Sequence, residues 1–334
     1  MSKKIKCSMT PKIGRFVVAN LKKRSEKGIK LAKQILETEE IKYPPLREAI
    51  KYYIEHWRDF THPGLFSIAC EAVGGKTDDT LLPQAAITMM AAAFDIHDDI
   101  IDGSKVKHKI PTVYGKFGAK IALLLGNAFL IDGFKILVDS TALLSEEKRK
   151  ETLETVKRLT FEVGNAHALE VGLKERKEPV PESYMKVIEM KAAGIELDMH
   201  LGALFGGGKD KEIELLSRLG RVLGILGTLR EEFVDIFEIE ELRHRVTTQD
   251  LPVPLLFAMQ DHETKKKVTK IILKSKIKES DVTKLVNVTL KSKPVVRLKE
   301  NMQRLISEGT KLATYFQQVE SDLQLLLSFM LEDL

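Results

Sequence analysis

The stretch Ala85–Asp102, AAITMMAAAFDIHDDIID, decides how the rest of the chain is read. Its first half is apolar and uncharged, as a buried helix is. Asp95, Asp98, Asp99 and Asp102 then fall at i, i+3, i+4 and i+7, on one helical face. Aspartate is a poor helix former, and like charges at this spacing repel. Carboxylates set straight after an apolar run need a counter-ion, and oxygen donors alone select a hard cation such as Mg²⁺. A solvated acidic helix end before Gly103 is the bland alternative; the apolar run favours metal.

A second acidic row lies in Gly224–Arg245, GILGTLREEFVDIFEIEELRHR. Glu231, Asp235 and Glu238 sit at i, i+4 and i+7, with Glu232 beside Glu231, again after an apolar lead-in. Alone this row is a common solvated pattern. Paired with the first, it suggests two opposed acidic faces that hold Mg²⁺ around a diphosphate and stabilise it as it leaves.

The remaining sequence fits an all-α bundle. Of 334 residues, 43% are hydrophobic and 30% charged, which suits a globular chain; 11 Pro and 21 Gly are too few for a loop-rich β fold. Two Cys exclude a disulfide framework and a Cys-rich zinc site. The net charge of +5 favours anionic ligands without demanding nucleic acid. Helical periodicity is read in 46–57, 81–102, 116–138, 146–171, 182–204, 211–241, 251–259, 263–276, 281–291 and 295–331. Breaks are expected at His62-Pro63-Gly64, 103–111, 174–181 and 206–208, and no strand alternation is found. Residues 1–15 are read as a flexible basic tail and 16–334 as one domain. No apolar run of membrane-spanning length and no secretory leader is read, so a cytoplasmic protein is expected. The Lys-rich stretch 265–278 carries apolar residues at helical spacing and little aromatic interleaving, so no nucleic-acid partner is expected.

These motifs resemble the trans-isoprenyl diphosphate synthase (polyprenyl synthetase) superfamily, which shares its all-α fold with class I terpene synthases. Its DDxxD motif is matched by Asp98, Asp99 and Asp102, and its second motif by Glu231, Glu232 and Asp235. Asn127 in FGAKIALLLGNAFL stands at a usual Asp, Ala192 after Lys191 at a usual Thr, and TTQDLPVPLLFA resembles the K-x-T-x-P-L segment without its Lys. The resemblance implies three Mg²⁺ ions, held by the two motifs, on an allylic prenyl diphosphate whose C–O bond ionises. It implies diphosphate contacts from Lys107, Lys109 and Lys191, and from Arg230 and Arg245, which are equally readable as surface ion pairs. Asp98, Asp99, Asp102 and Lys191 are its catalytic set. Ala93 and Phe94 would line the prenyl pocket and bound a C15–C20 tail. Asp95 is read there too, as a fourth ligand, a group facing the carbocation or a simple hydrogen-bond acceptor. His97 is read as structural, His167 and Glu170 as weak site candidates, and Met199 and His200 as packing. Family members are homodimers, and the apolar helix at 116–138 is the expected dimer face.

The sequence departs from the family where the second diphosphate binds. The GGKRxRP segment aligns with Trp57–Pro63, so its Lys and two Arg fall on Asp59, Phe60 and His62. The usual His before the first motif is Ala91, and the Arg-Arg-Gly after it is Lys107-His108-Lys109. The preferred expectation is therefore a terpene-synthase-like enzyme that ionises one diphosphate and quenches the cation by cyclisation, proton loss, water or another acceptor. The alternatives are chain elongation with isopentenyl diphosphate at an altered site, or a non-catalytic partner subunit.

Overall fold

Leu81–Ile101 is helical because its side chains are apolar on nearly every face and bury against neighbours on several sides; Pro83 sits in its first turn, where no intrahelical N–H is lost. The computed structural model describes residues 12–107, 109–174, 180–248, 250–274, 276–332 and 334. In chain order they form α1 (Lys12–Thr38), α2 (Pro44–His56), α3 (Thr61–Ala72), α4 (Leu81–Ile101), β1 (Val106–Lys107), β2 (Ile110–Pro111), α5 (Val113–Phe117), α6 (Ala119–Ser140), α7 (Glu146–Lys174) and α8 (Pro181–Lys191). They continue with α9 (Ala193–Phe205), α10 (Asp210–Phe237), α11 (Ile239–Thr247), α12 (Val253–Ala258), α13 (His262–Ile272), α14 (Glu279–Leu290), α15 (Lys293–Ala313) and α16 (Glu320–Phe329). The all-α expectation stands. Helices α3, α4, α9 and α10 form the middle of the bundle, with α1, α6, α7 and α15 packed around them.

Several local expectations change. The sequence reading places no helix before residue 46, yet α1 runs for 27 residues and buries Val17, Leu21, Ile29, Ala32 and Leu36 as one stripe. Residues 1–11 of the expected tail lie outside the described residues, while 12–15 open α1. His62-Pro63-Gly64 is not a break but the first turn of α3. Asp59 Oδ1 accepts from the Thr61 N–H at 2.8 Å, and Pro63 falls where helical N–H groups have no partner anyway. The expected helix over 182–204 is divided at Ala192, that over 211–241 at Glu238, and that over 295–331 between Ala313 and Glu320. Strand pairing is present after all: Val106 and Lys107 pair antiparallel with Pro111 and Ile110 in a small hairpin. Lys109, in its turn, has φ +66°, a left-handed conformation uncommon for a side-chain-bearing residue.

Helix α6 is, by length and composition, apolar enough to cross a membrane. Its packing explains the composition otherwise. Ala122, Leu125, Phe129 and Leu137 are fully buried, against α4 among others, while Leu123, Leu124, Ile131 and Phe134 are exposed elsewhere on the helix.

Close packing of α3 on α9 fixes the wall beneath the acidic rows. It depends on Gly202, where an added Cβ would stand 2.1 Å from the Phe66 carbonyl oxygen. Gly202→Val is expected to lower stability in urea unfolding by about 1–3 kcal/mol or more, the scale of overpacking a core. Gly164→Ala on α7, where a Cβ meets nothing within 4 Å, is expected to raise it by about 0.5–1 kcal/mol.

Candidate active site

Helix α4 carries the first acidic row to its C-terminal end, and the hairpin that follows swings Lys107 back over it. Lys107 Nζ lies 2.8 Å from Asp99 Oδ1 and 2.9 Å from Asp95 Oδ1. Asp98 Oδ1 is 3.0 Å from His167 Nδ1 on α7. Asp102, the C-cap of α4, lies 2.8 Å from Lys174 Nζ at the end of α7. Lys191, at the end of α8, rests 2.6 Å from Glu170.

The second row is at the end of α10. Arg245 on α11 reaches back to it, 2.7 Å from Asp235 and 3.1 Å from Glu232. Glu232 also accepts the Val253 N–H at 2.7 Å, which ties α10 to the start of α12. Asp250 joins the two rows: it lies 3.1 Å from Lys174 and 3.4 Å from Arg245. Asp102, Lys174, Asp250, Arg245 and Asp235 thus form one chain of charges from α4 to α10.

The electrostatics reflect crowding. Burial pushes Asp98 up, but His167, Lys191 and Lys107 outweigh it and hold the acid at about 2. Burial raises Asp99 to about 6, against the pull of Lys107. Asp235 is pushed up to about 7 by burial, against Arg245 and with help from Glu232. Glu231 is exposed at its surface, yet the surrounding protein lowers its hydration and raises it, Glu232 adds to the shift, and Lys107 and Lys191 oppose it. Glu231 therefore senses the cations of the first row. Lys107 stays protonated: burial lowers it, but Asp95 and Asp99 raise it further.

Several expected site residues stand elsewhere or in other roles. Arg230 turns away from the cleft; it donates to the Glu332 carbonyl at 2.8 Å and stacks 4.1 Å over the Phe329 ring. Arg245 and Lys107 neutralise carboxylates. Lys109 is exposed in the hairpin turn, and His108 lies outside the described residues. Asp95 is exposed and engaged with Lys107 rather than sunk in an apolar pocket. Ala93 is fully buried in a core cluster with Met89, Trp57 and Phe129, and Phe94 is half-buried. Glu238 is exposed and ends α10, outside the row. His167 and Glu170, weighted lightly from sequence, each touch a site residue directly. Lys174 and Asp250 were missed; their only signal is the excess of acid they help to balance.

Among the described residues, no three His, Cys, Asp or Glu side chains already converge as a metal cluster. Yet Asp98 Oδ1, Asp99 Oδ1 and Asp250 Oδ1 are buried without a well-directed hydrogen bond, although cations lie near. Buried carboxylate oxygens left in that state suit a hard cation.

The chain matches the polyprenyl synthetase family over residues 44–289. It is 31% identical over 180 residues to a short chain isoprenyl diphosphate synthase of Methanothermobacter thermautotrophicus, covering 54% of each chain. It is 26% identical over 208 residues to a geranylgeranyl diphosphate synthase of Methanosarcina mazei, covering 62% of this chain and 63% of that one. The match thus spans between half and two thirds of these relatives. Geranylgeranyl pyrophosphate synthetase from Pyrococcus horikoshii shares the fold with a TM-score of 0.81 at 22% identity, over 96% of this chain and 99% of that one. A polyprenyl synthase from Caulobacter crescentus, solved with calcium and isoprenyl diphosphate, has a TM-score of 0.79 at 16% identity, over 96% and 98%. On the extent of the family match, this chain belongs to the polyprenyl synthetase family.

Proposed function

We propose that the protein is a Mg²⁺-dependent trans-prenyltransferase that joins an allylic prenyl diphosphate to isopentenyl diphosphate. The observation that carries this reading is the continuous charge chain between the acidic rows of α4 and α10. The relatives named above are diphosphate synthases, which favours the elongation alternative; the cyclisation preferred from sequence has no support among them.

In this reading the allylic C–O bond breaks with its electron pair leaving on diphosphate, a C–C bond forms to the acceptor alkene, and one proton is lost. Asp98, Asp99 and Asp102 would hold Mg²⁺ on one side, and Glu231, Glu232 and Asp235 on the other. The metal supplies neutralisation of the leaving diphosphate. Lys191, Lys107 and Arg245 each hold a carboxylate now and would turn to diphosphate oxygens when the acids are otherwise neutralised. Glu170 keeps Lys191 charged and positioned for that exchange.

The acceptor side is altered. Asp59 caps α3, Phe60 lies under Lys22 Nζ at 5.7 Å, and His62 Nδ1 is 2.6 Å from buried Asp198 Oδ2. None of these offers an unengaged cation, so the second diphosphate must draw on Lys22 and Arg58, both exposed nearby in sequence or space. Weak affinity for isopentenyl diphosphate follows. We also propose a homodimer through the exposed α6 residues Leu124, Ile131 and Phe134, an apolar stripe of the kind that marks an interface.

Farnesyl diphosphate, isopentenyl diphosphate and Mg²⁺ with the purified protein are expected to give a longer prenyl diphosphate by mass spectrometry. Asp98→Asn should lower turnover by about 10²–10³-fold, the scale for a group that stabilises developing charge, with helicity unchanged. Cyclised or hydrolysed products alone would overturn the reading. Burial acts to lower the His62 pKa, but Asp198 outweighs it and raises the imidazole to about 10. The His62 contribution is therefore full below the ordinary His value and is lost as pH rises through about 10, while burial raises Asp198 and opposes the pair from the acid side. NMR should find His62 protonated at pH 8 in the native protein, and neutral there in Asp198→Asn. Ile131→Glu should halve the mass measured by light scattering without loss of helicity.

A further inference from the structure

A groove of about 580 Å³ opens on another face of the bundle, between the first half of α7, α9, the first half of α10 and α15. That is the size of a small-molecule site. No residue of either acidic row lines it, and Ile225, its lining residue on α10 nearest Glu231, is about 9 Å from Glu231 along the helix axis. The groove is therefore separate from the cleft.

Its floor is apolar: Leu204, Ile213, Val222, Ile225 and Leu305. Its charges are mostly spent on each other. Lys148 pairs with Asp210, Arg221 with Glu196, and Arg218 with Glu308 at 3.2 Å. Glu214 lies 3.5 Å from Lys211. Arg158 is the exception: it lines the groove, is exposed, and makes no hydrogen bond or ion pair among the described residues.

A second polar group lies in the wall. Ser217 donates its one hydroxyl proton to the Ile213 carbonyl at 2.7 Å. Its oxygen must then accept from His200 Nδ1, 3.0 Å away. Burial, together with the charges of Arg158 and Lys148, lowers His200 to about 4. The imidazole is thus neutral at physiological pH and lies within reach of the charges of Arg158 and Lys148. Sequence reading took His200 for packing alone; the groove gives it a polar surface.

We propose that this groove is a second, non-catalytic site for an amphipathic phosphate, its anionic head on Arg158 and its tail along the apolar floor. The ligand named here rests on the proposed function, since a prenyl diphosphate product has this chemistry. Such a site would let product report on its own concentration away from the acidic cleft.

The test uses the intact protein in EDTA, where the uncovered acids of the cleft repel diphosphate. Farnesyl diphosphate is titrated by calorimetry, and the His200 ring protons are followed by NMR. Binding is expected to shift those resonances, and inorganic pyrophosphate is expected to bind at least about tenfold more weakly because it has no tail. Arg158→Ala, at an exposed position with no partner to lose, should weaken farnesyl diphosphate by about tenfold and leave initial-rate turnover unchanged. Asp98→Asn should leave this affinity unchanged. Equal binding of pyrophosphate, an unmoved His200 signal, an unaffected Arg158→Ala variant, or an altered affinity in Asp98→Asn would each overturn the proposal. Absence of turnover in the Mg²⁺ assay would sink the proposed function instead, and would leave this binding result standing.

Discussion

The structure depends on how it tolerates an excess of carboxylate between α4 and α10. Acids brought this close would repel one another and lose hydration, a cost of several kcal/mol for each unpaired buried ion. The fold meets that cost with cations from four other elements, Lys107 from the hairpin, Lys174 from α7, Lys191 from α8 and Arg245 from α11, and with the His167 ring set beside Asp98. The compensation is incomplete, since Asp99 and Asp235 stay raised and three carboxylate oxygens lack a directed donor. A site left in that condition is poised for a further positive charge.

In the proposed function the same arrangement would give the basic residues two successive uses. Lys107 and Arg245 were expected to grip diphosphate, and they are found on carboxylates. The two roles are compatible if bound metal takes over the acids, because a released lysine or arginine then faces the anion that arrives with the metal. Asp250 is central to this exchange. It links Lys174 to Arg245, so a change in charge at Asp102 is felt at Asp235 through direct contacts. Arg230, by contrast, fastens α10 to the C-terminal segment, whose Glu332 carboxylate accepts the Ile13 and Gly14 N–H groups of α1 at 3.1 and 3.2 Å. The helix that bears the second acidic row is thereby anchored to the first helix of the chain.

Around this centre, the residues that in the proposed function would face the acceptor serve local structural roles. Asp59 found use as a helix cap, Phe60 as packing, and His62 as half of a buried pair with Asp198. In the proposed function, each of these residues is engaged within the fold and leaves a second diphosphate without its cation.

The helical class and both acidic rows were legible in the sequence because each depends on one element and its own period. Asp98, Asp99 and Asp102 share a helix face whatever the fold around them does. The long α1 is equally periodic, with Val17, Leu21, Ile29, Ala32 and Leu36 on one face, and only its residues 12–15 fall in the expected tail. Tertiary structure alone decided the partners: His167 on Asp98, Lys174 on Asp102, Asp250 between them and Arg245, and Asp198 under His62. It also decided that Ala93 is core and that Arg230 faces away from the cleft. Those outcomes depend on residues far apart in the chain, and a local repeat carries no record of which distant helix will supply the opposite charge.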